Sequence, residues 1–475
     1  MEETMGRWWI GIILVGAGSC VKVPQHELAE RLSSCGVEEA RLDAMEAGVA
    51  EGELGQTWWL EFDDETLTEL IEMALKGNPT LKQAGARLNA AAEVALQKRA
   101  ALFPQVSFDP NDIWQHYAKD GFFRTYAPNI PAMVNDVMIY FTFTYEVDFW
   151  GKNRDLFRAA LGEMRARAAE QRQAELLITT SIAYIYEELQ FLLKKRSILE
   201  KQEAIRGRIE EIREQRKMHA LDGALPQLDS RSSTLDVSAL LREVGPKIDE
   251  HVHMLHRLAG LTPDEKVEIV GKPQPCLQVP LPKELSLDLL ARRPDLAASR
   301  ERVEAAAKRI DAAKTDFYPN VNLTSLIGLE SIFWSKLFGG QTYSGSLQPA
   351  LHLPIFTAGK IKAQLMQQVA EFNEATYAYN ALILQAAQEV ADALSTLIFL
   401  KEETTIRLHS WEVAQKQESL TKKRLEHAID DQIAWLNAQY KTLDMELLVV
   451  SLEYATLLEK ILLIRALGGG YSDGA

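Results

Sequence analysis

Three cysteines, Cys20, Cys35 and Cys276, are all that 475 residues contain. They are too few and too scattered for a disulfide scaffold or a clustered zinc site. Positive charge is also scarce: 52 Lys and Arg stand against 67 Asp and Glu, a formal net charge of −15. That balance excludes nucleic acid as a partner and a polybasic grip on a bilayer surface. No apolar run reaches the ~18–20 residues of a bilayer-spanning helix. The nearest, Trp8 to Gly18, is too short to span. Proline is missing from Lys152 to Leu225 and again from Lys360 to the end. About 65 uninterrupted helical residues would reach roughly 95–100 Å, whereas helices of soluble cores usually run ~10–14 residues. Gly151-Lys152 and Gly359-Lys360 lack the further glycines of a phosphate loop and read as strand-to-helix corners. His251, His253 and His256 offer one i, i+3 pair and no carboxylate placed to complete a metal site. No Ser/His/Asp, Cys/His or paired-carboxylate arrangement stands out, so the sequence points to no enzyme, cofactor or metal.

What the chain does have is a repeat. Asn78-Pro79-Thr80-Leu81 running to Phe103-Pro104 returns, 215 positions later, as Arg293-Pro294-Asp295-Leu296 running to Tyr318-Pro319. Each copy is Ala- and charge-rich without internal proline and closes on an aromatic-Pro, which predicts a helix of roughly 20 residues turning into a strand. The second half of each copy recurs at an offset of 208: Gly151/Gly359, Arg216/Arg424, His219/His427, Asp222/Asp430 and Leu228/Leu436. One unit of about 200 residues has therefore been duplicated.

Within each unit the pattern alternates between strand and helix periods. Glu65 to Lys76 predicts a short amphipathic helix with Leu67, Leu70, Ile71 and Ala74 on one face. Val106 to His116 is a weak strand, Lys119 to Asn135 is loop-like, and Val137 to Phe149 alternates well, with aromatic and aliphatic residues on one side and mostly polar ones on the other. That length suits a tilted strand of an outer-membrane barrel and equally a half-exposed strand of a soluble sheet. Ile178, Ile182, Ile185, Leu189 and Leu192 form a coiled-coil seam. Ala386, Val390, Ala393, Leu397 and Leu400 repeat it in the same register. The long helices turn near Gly223 and near Asp430-Asp431. In the second copy a helix is expected from Leu285 and another over 295–317, then strands at 321–327 and 343–356 with a helical turn around 332–337 between them.

The motifs Arg293-Pro294-Asp295-Leu296, Phe317-Tyr318-Pro319, Leu353-Pro354-Ile355-Phe356-Thr357-Ala358-Gly359-Lys360, Ala466-Leu467-Gly468-Gly469-Gly470 and Asp148-Phe149-Trp150-Gly151-Lys152 resemble those of the TolC-like outer-membrane efflux proteins, from about residue 50 to 472. Ala17-Gly18-Ser19-Cys20 after the apolar run resembles a bacterial lipoprotein signal, which points to the lipoprotein branch of that family with Cys20 as the lipidated residue. An ordinary signal peptide with a free Cys20 is the plainer alternative. Cys35 and Cys276 either pair in an oxidising compartment or remain two buried thiols.

The resemblance implies a mainly α fold with a small β part. Long antiparallel helices would form an α-barrel, and four strands per chain would enter a trimeric twelve-stranded outer-membrane β-barrel. The expected layout is a lipoprotein signal peptide over 1–19, an N-terminal arm over 20–63, a first repeat over 64–260, a linker over 261–283 and a second repeat over 284–472. The resemblance further implies a homotrimeric exit duct in the outer membrane with a periplasmic extension. Its partners would be a periplasmic adaptor, an inner-membrane pump and, through acylated Cys20, outer-membrane lipid. Alternatives are a type I protein-secretion duct and, from another class, a structural coiled-coil spacer or adhesin of the envelope.

The same resemblance puts a closed gate and the adaptor contact at the helix turns. Asp222, Asp229, Arg424, Asp430, Asp431 and Asn437 are the gate candidates, and Leu221, Leu225, Ile429 and Ile433 the adaptor-contact candidates. An acidic ring of Asp430 and Asp431 on a trimer axis competes with a plain role as turn formers. The apolar four compete with a helix-pair core. Many relatives carry Asp where this chain has Asn437, and Asp229 holds the acidic residue at the first-copy position.

Overall fold

A computed structural model describes residues 23–32, 50–51, 55–265, 269–272, 277, 280–281 and 293–471. The expected signal segment, Cys20, the Cys35/Cys276 pairing and the helix from Leu285 lie outside the described residues.

Both proline-free stretches begin as single helices of 67 residues, α4 (Lys152–Met218) and α7 (Lys360–Glu426). At ~1.5 Å per residue each is about 100 Å of helix. Each starts immediately after a glycine with positive φ, Gly151 at 83° and Gly359 at 85°. That left-handed corner is open to glycine at no steric cost and turns strand into helix. Shorter helices complete each copy: α1 (Glu65–Gly77), α2 (Pro79–Ala100) and α5 (Ala224–Ala259) in the first, α6 (Pro294–Thr315) and α8 (Gln432–Ala466) in the second. A short helix α3 (Phe122–Tyr126) sits in the segment expected to be loop. α1 buries Leu67, Leu70, Ile71 and Ala74, the face that its periodicity selects.

The strands are β1 (Ala50–Glu51), β2 (Gln105–His116), β3 (Met133–Val147), β4 (Pro280–Leu281), β5 (Asn320–Ser331) and β6 (Tyr343–His352). β3 starts four residues before the expected Val137 and ends two before Phe149. β6 stops at His352, because Pro354 has no N–H with which to extend a ladder. A 3-10 turn over Trp334–Lys336 occupies the expected helical turn.

The chain divides into two units. The first holds the segments up to Arg31, Leu88–Ala166 and Ser299–Tyr379. Its antiparallel sheet runs β2-β3-β5-β6, leaving β2 and β6 as open edges. The two prolines of this sheet, Pro110 and Pro349, both sit on its edge strands, where a missing N–H removes no bond to a neighbour within the chain. Beside the sheet α6 packs on α7 through Val303, Ala306, Ile310, Leu365, Val369 and Phe372, with Val23 of the arm joining the cluster. The arm is tied to α7 by the Ala29 backbone N–H, which donates to Asn373 Oδ1 at 2.8 Å.

The second unit holds Leu32–Arg87, Arg167–Ala298 and from Asn380 onward. Here the two seams are buried in one register, apart from Ile185, which is half-buried. Burial of each large seam residue contributes about 1.5–3 kcal/mol. The two copies also close alike. Asn78 donates through Nδ2 to the Leu258 carbonyl at 2.7 Å. Arg293 donates through Nη1 to the Ala466 carbonyl at 3.2 Å, and residues 258 and 466 are equivalent positions of the repeat. Each of these residues precedes the proline that opens α2 or α6, so each copy's entry is fastened to the end of its own last helix. Arg293 is 5% exposed. It makes two bonds to Asp295, at 2.8 and 3.1 Å, and one to Glu389 at 2.7 Å. Burial works against its charge, but Asp295 and Glu389 hold the guanidinium firmly protonated.

A second buried polar group fastens the inter-repeat linker. Lys272 Nζ and Tyr186 Oη both donate to Asp64, at 2.5 and 2.7 Å, while Gln190 accepts from the Lys272 backbone N–H at 2.9 Å. Beside them Glu187 is 2% exposed, with one carboxylate oxygen unpartnered. Burial, reinforced by Asp64, pushes its pKa up to about 8. The folded chain therefore keeps a proton that the unfolded chain releases above about pH 4.5. This contribution to stability is full below pH ~4.5 and is lost as pH rises through about 8, at up to ~1.4 kcal/mol per pH unit. Thermal melts of the wild type should fall between pH 5 and 8, and Glu187→Gln should flatten that fall. Parallel pH profiles for the two proteins would contradict the assignment.

Candidate functional site

The sheet and the two long-helix turns are the features that a soluble core does not require. In the sheet, side chains alternate between faces, and the register brings like positions together. One face carries Val106 and Phe108 of β2, Val137 through Val147 at alternate positions of β3, Val321, Leu323, Ile327 and Leu329 of β5, and Leu347 and Leu351 of β6. Phe108 and Phe141 lie 5.1 Å apart there and both are exposed. The eleven residues from Val137 to Val147 span ~35 Å along the strand. At a tilt near 40° that becomes the ~25 Å apolar band of an outer-membrane barrel. At the loop end the band gives way to Asp112, which accepts from the indole N–H groups of Trp114 at 3.1 Å and Trp334 at 3.2 Å.

The opposite face is polar. It carries Ser107 and Asp109 of β2, Asp136, Tyr140, Thr142, Thr144 and Glu146 of β3, Asn322, Thr324 and Glu330 of β5, and Ser344, Ser346 and Gln348 of β6. Ser107 donates to Asp109 at 2.6 Å, and Tyr140 donates to Glu330 at 2.5 Å. Among the described residues both ladder edges of this sheet are unpaired. Unpaired backbone groups cost several kcal/mol each in hydrocarbon.

Each helix turn is built on the same frame. Ala220 and Ala428 take positive φ, 60° and 55°. The following N–H groups, of Leu221 and Ile429, donate back to the carbonyls of Arg216 and Arg424 at 2.8 and 2.9 Å, a Schellman closure. The same two arginines hold the turn aspartates. Arg216 donates to Asp222 at 2.9 and 3.3 Å, and Arg424 lies 2.7 Å from Asp430. Arg213 adds a third donor to Asp222 at 2.8 Å. Bonds from Arg213 and then Arg216 keep the Asp222 carboxyl below the usual range. Its pairing therefore persists at neutral pH and is lost only as the pH falls through that lowered value. Asp431 caps α8, accepting from the Ala434 N–H at 2.8 Å, and lies 3.8 Å from Arg216.

The candidate residues thus separate into distinct places. Asp222, Asp430, Asp431 and Arg424 gather at the turns, whereas Asp229 is exposed a helical turn into α5. Asn437 lies along the helix pair and accepts from Arg206 at 3.4 Å. Leu221, Leu225 and Ile429 are 69%, 74% and 65% exposed. Ile433 is not available as an adaptor contact: it is 4% exposed and packs with Ile205, Ile209 and Leu436. Its repeat equivalent, Leu225, faces outward. The three histidines of α5 do not gather, since His251 turns to Glu188 at 3.2 Å and the Lys247 carbonyl at 2.7 Å.

Two contributors were missed from the sequence. Arg216 recurs as Arg424 at the offset that relates Asp222 to Asp430, so the duplicated Arg-x5-Asp spacing was a visible signal of the pairing. Arg213 has Thr421 at its equivalent position, and nothing in the repeat marked it.

The profile of the outer membrane efflux protein family matches residues 70–261 and 285–469. The multidrug resistance outer membrane protein MdtP of Shigella flexneri is 28% identical over 420 residues, covering 87% of this chain and 86% of that protein. The putative multidrug resistance outer membrane protein MdtQ of the same organism is 31% identical over 388 residues, covering 80% of each. Among solved structures, the outer membrane protein VceC of Vibrio cholerae superposes with a TM-score of 0.78 at 28% identity, covering 88% of this chain and 100% of VceC. With its duplicated helices and open four-stranded sheet, the chain belongs to the outer membrane efflux protein family.

Proposed function

We propose that three copies of this chain close a twelve-stranded barrel in the outer membrane and form the passive exit duct of a tripartite small-molecule efflux pump. One observation carries the reading: a sheet apolar on one face and polar on the other, with both edges unpaired. Four strands are too few to close in lipid, since small membrane barrels have about eight. Further copies supply the missing strands, and the polar faces then line an aqueous passage. The names of the relatives favour small molecules over secreted proteins as cargo.

The duct is energised by an inner-membrane pump through a periplasmic adaptor. Exposed Leu221, Leu225 and Ile429 at the turns supply apolar contacts for that adaptor, and the Arg–Asp pairs of the turns hold the closed state. Cys20 carries the lipid anchor. Val23 packs in the cluster that contains Phe317, three residues before β5. Cys20→Ser should lose the mass of an acylated N-terminus in intact-protein mass spectrometry; an unchanged lipid mass would remove Cys20 from the role.

The duct itself is tested in planar bilayers with detergent-purified protein. Discrete single-channel steps are expected. A folded, membrane-inserted protein that conducts nothing would favour the envelope spacer.

A further inference from the structure

None of the four long strands contains a lysine or an arginine. Cations return only past the ladder, at the end where both hairpin connections emerge: His116 pairs with Met133 there, and Ser331 with Val137. Residues 117–132 and 332–342, the two connections, hold Lys119, Arg124 and Lys336 against one carboxylate, Asp120. Among the described residues none of the three cations forms an ion pair. Lys336 lies instead over the Phe333 ring, 5.1 Å from its centre. The same connections expose six aromatic rings. Phe122, Tyr126 and Phe338 are 73%, 78% and 81% exposed, and Phe123, Phe333 and Trp334 are about half exposed. They are held in place from within. Phe122 packs 5.0 Å from Tyr126 and Phe123 5.3 Å from Tyr117, while buried Leu337 pins the second connection and Trp334 donates across to Asp112 of β2 at 3.2 Å. An exposed apolar surface of this kind marks a place of contact.

We infer that these two connections form a docking surface for a multiply phosphorylated lipid of the outer leaflet, of the lipid A kind, with acyl chains against the rings and phosphates against Lys119, Arg124 and Lys336. This rests on the reading above that the sheet spans the outer membrane, which turns this end outward. Two independent observations name the occupant. The rings continue the apolar band of the sheet, so the partner that covers the band covers them too, and aromatic rings at that level anchor a protein at the bilayer surface. The cations lack carboxylates, and ammonium and guanidinium groups bind phosphate through charge-assisted hydrogen bonds. A zwitterionic phospholipid meets only the first condition, since its own ammonium offsets its phosphate. A lipid with acyl chains and two phosphates meets both. The electrostatic part is screened within about 3 Å at 1 M salt, so the preference should weaken there.

The test is competitive lipid binding to the full-length, detergent-purified protein, read as lipid adducts by native mass spectrometry. The probes are bisphosphorylated lipid A, phosphatidylglycerol and phosphatidylethanolamine. Lipid A is expected to be retained about fivefold or more over either phospholipid. The combined substitution Lys119→Gln, Arg124→Gln and Lys336→Gln should bring the three probes level, and Phe122→Ser with Tyr126→Ser and Phe338→Ser should lower retention of lipid A. Equal retention of all three probes by the wild type overturns the inference even if a variant fails to fold. So does retention of phosphatidylglycerol equal to that of lipid A, which would mark a contact for any anionic lipid, and so does a preference that survives loss of the three cations. Conductance in planar bilayers separates this result from the reading beneath it. A channel that conducts and shows no lipid A preference overturns the docking surface alone, whereas a protein that inserts and does not conduct removes the duct.

Discussion

Replacing Arg293 by alanine is expected to abolish the assembled channel. The guanidinium is nearly inaccessible and joins three elements: Asp295 at the start of α6, Glu389 on α7 and the terminal carbonyl of α8 at Ala466. Removing one partner of such a buried network leaves two carboxylates without compensation, a loss of about 3–5 kcal/mol, comparable with a large part of the stability of an ordinary domain. Arg293→Lys keeps the charge but cannot reproduce the paired bonds to Asp295, so it should fall between wild type and alanine. Asn78→Ala, at the equivalent place of the first copy, loses a cap and one neutral bond and should cost about 1–2 kcal/mol. Thermal unfolding of detergent-solubilised protein orders the three variants. Equal losses at both positions would contradict the network account.

The second large effect is expected at the turns. Exposed ion pairs are individually weak, but three copies of the Arg216 and Arg424 pairings would act together on one gate. Acting together, they are expected to shift a closed–open equilibrium by about tenfold. Arg216→Ala with Arg424→Ala should therefore raise single-channel open probability and sensitise cells to large antibiotics. Asp431→Ser retains the cap on α8 and should alter conductance little, whereas Asp430→Ala should open the gate in part. Unchanged conductance in a folded double-arginine variant would return these groups to the formation of turns.

Much of the fold was legible in residue spacing. The two proline-free runs became α4 and α7 because nothing in either interrupts a helix, and Gly151 and Gly359 mark where strand gives way to helix. The seam beginning at Ile178 was readable because its 4, 3, 4, 3 steps recur 208 positions later. What was not legible has a physical reason in each case. β3 begins at Met133 although Asn135 and Asp136 interrupt the apolar alternation, since ladder bonds with β2 continue past the apolar band. Ile433 and Leu225 occupy equivalent positions, yet only one meets the cluster of Ile205 and Ile209, and a single-chain pattern does not reveal which helix face a neighbour covers. Glu187 and Asp64 lie 123 residues apart in sequence, and neither belongs to a motif; their coupling exists only once Tyr186 and Lys272 have converged on Asp64. The sheet's charge was present in the strands throughout, but the register was needed to place Asp109, Asp136, Glu146 and Glu330 on one face.

Subunit count tests the central claim most directly. Native mass spectrometry of the particle released from detergent should show three chains, because two open strand edges per chain are sealed when three sheets join into one barrel. A stable, conducting particle of one or two chains would contradict that closure.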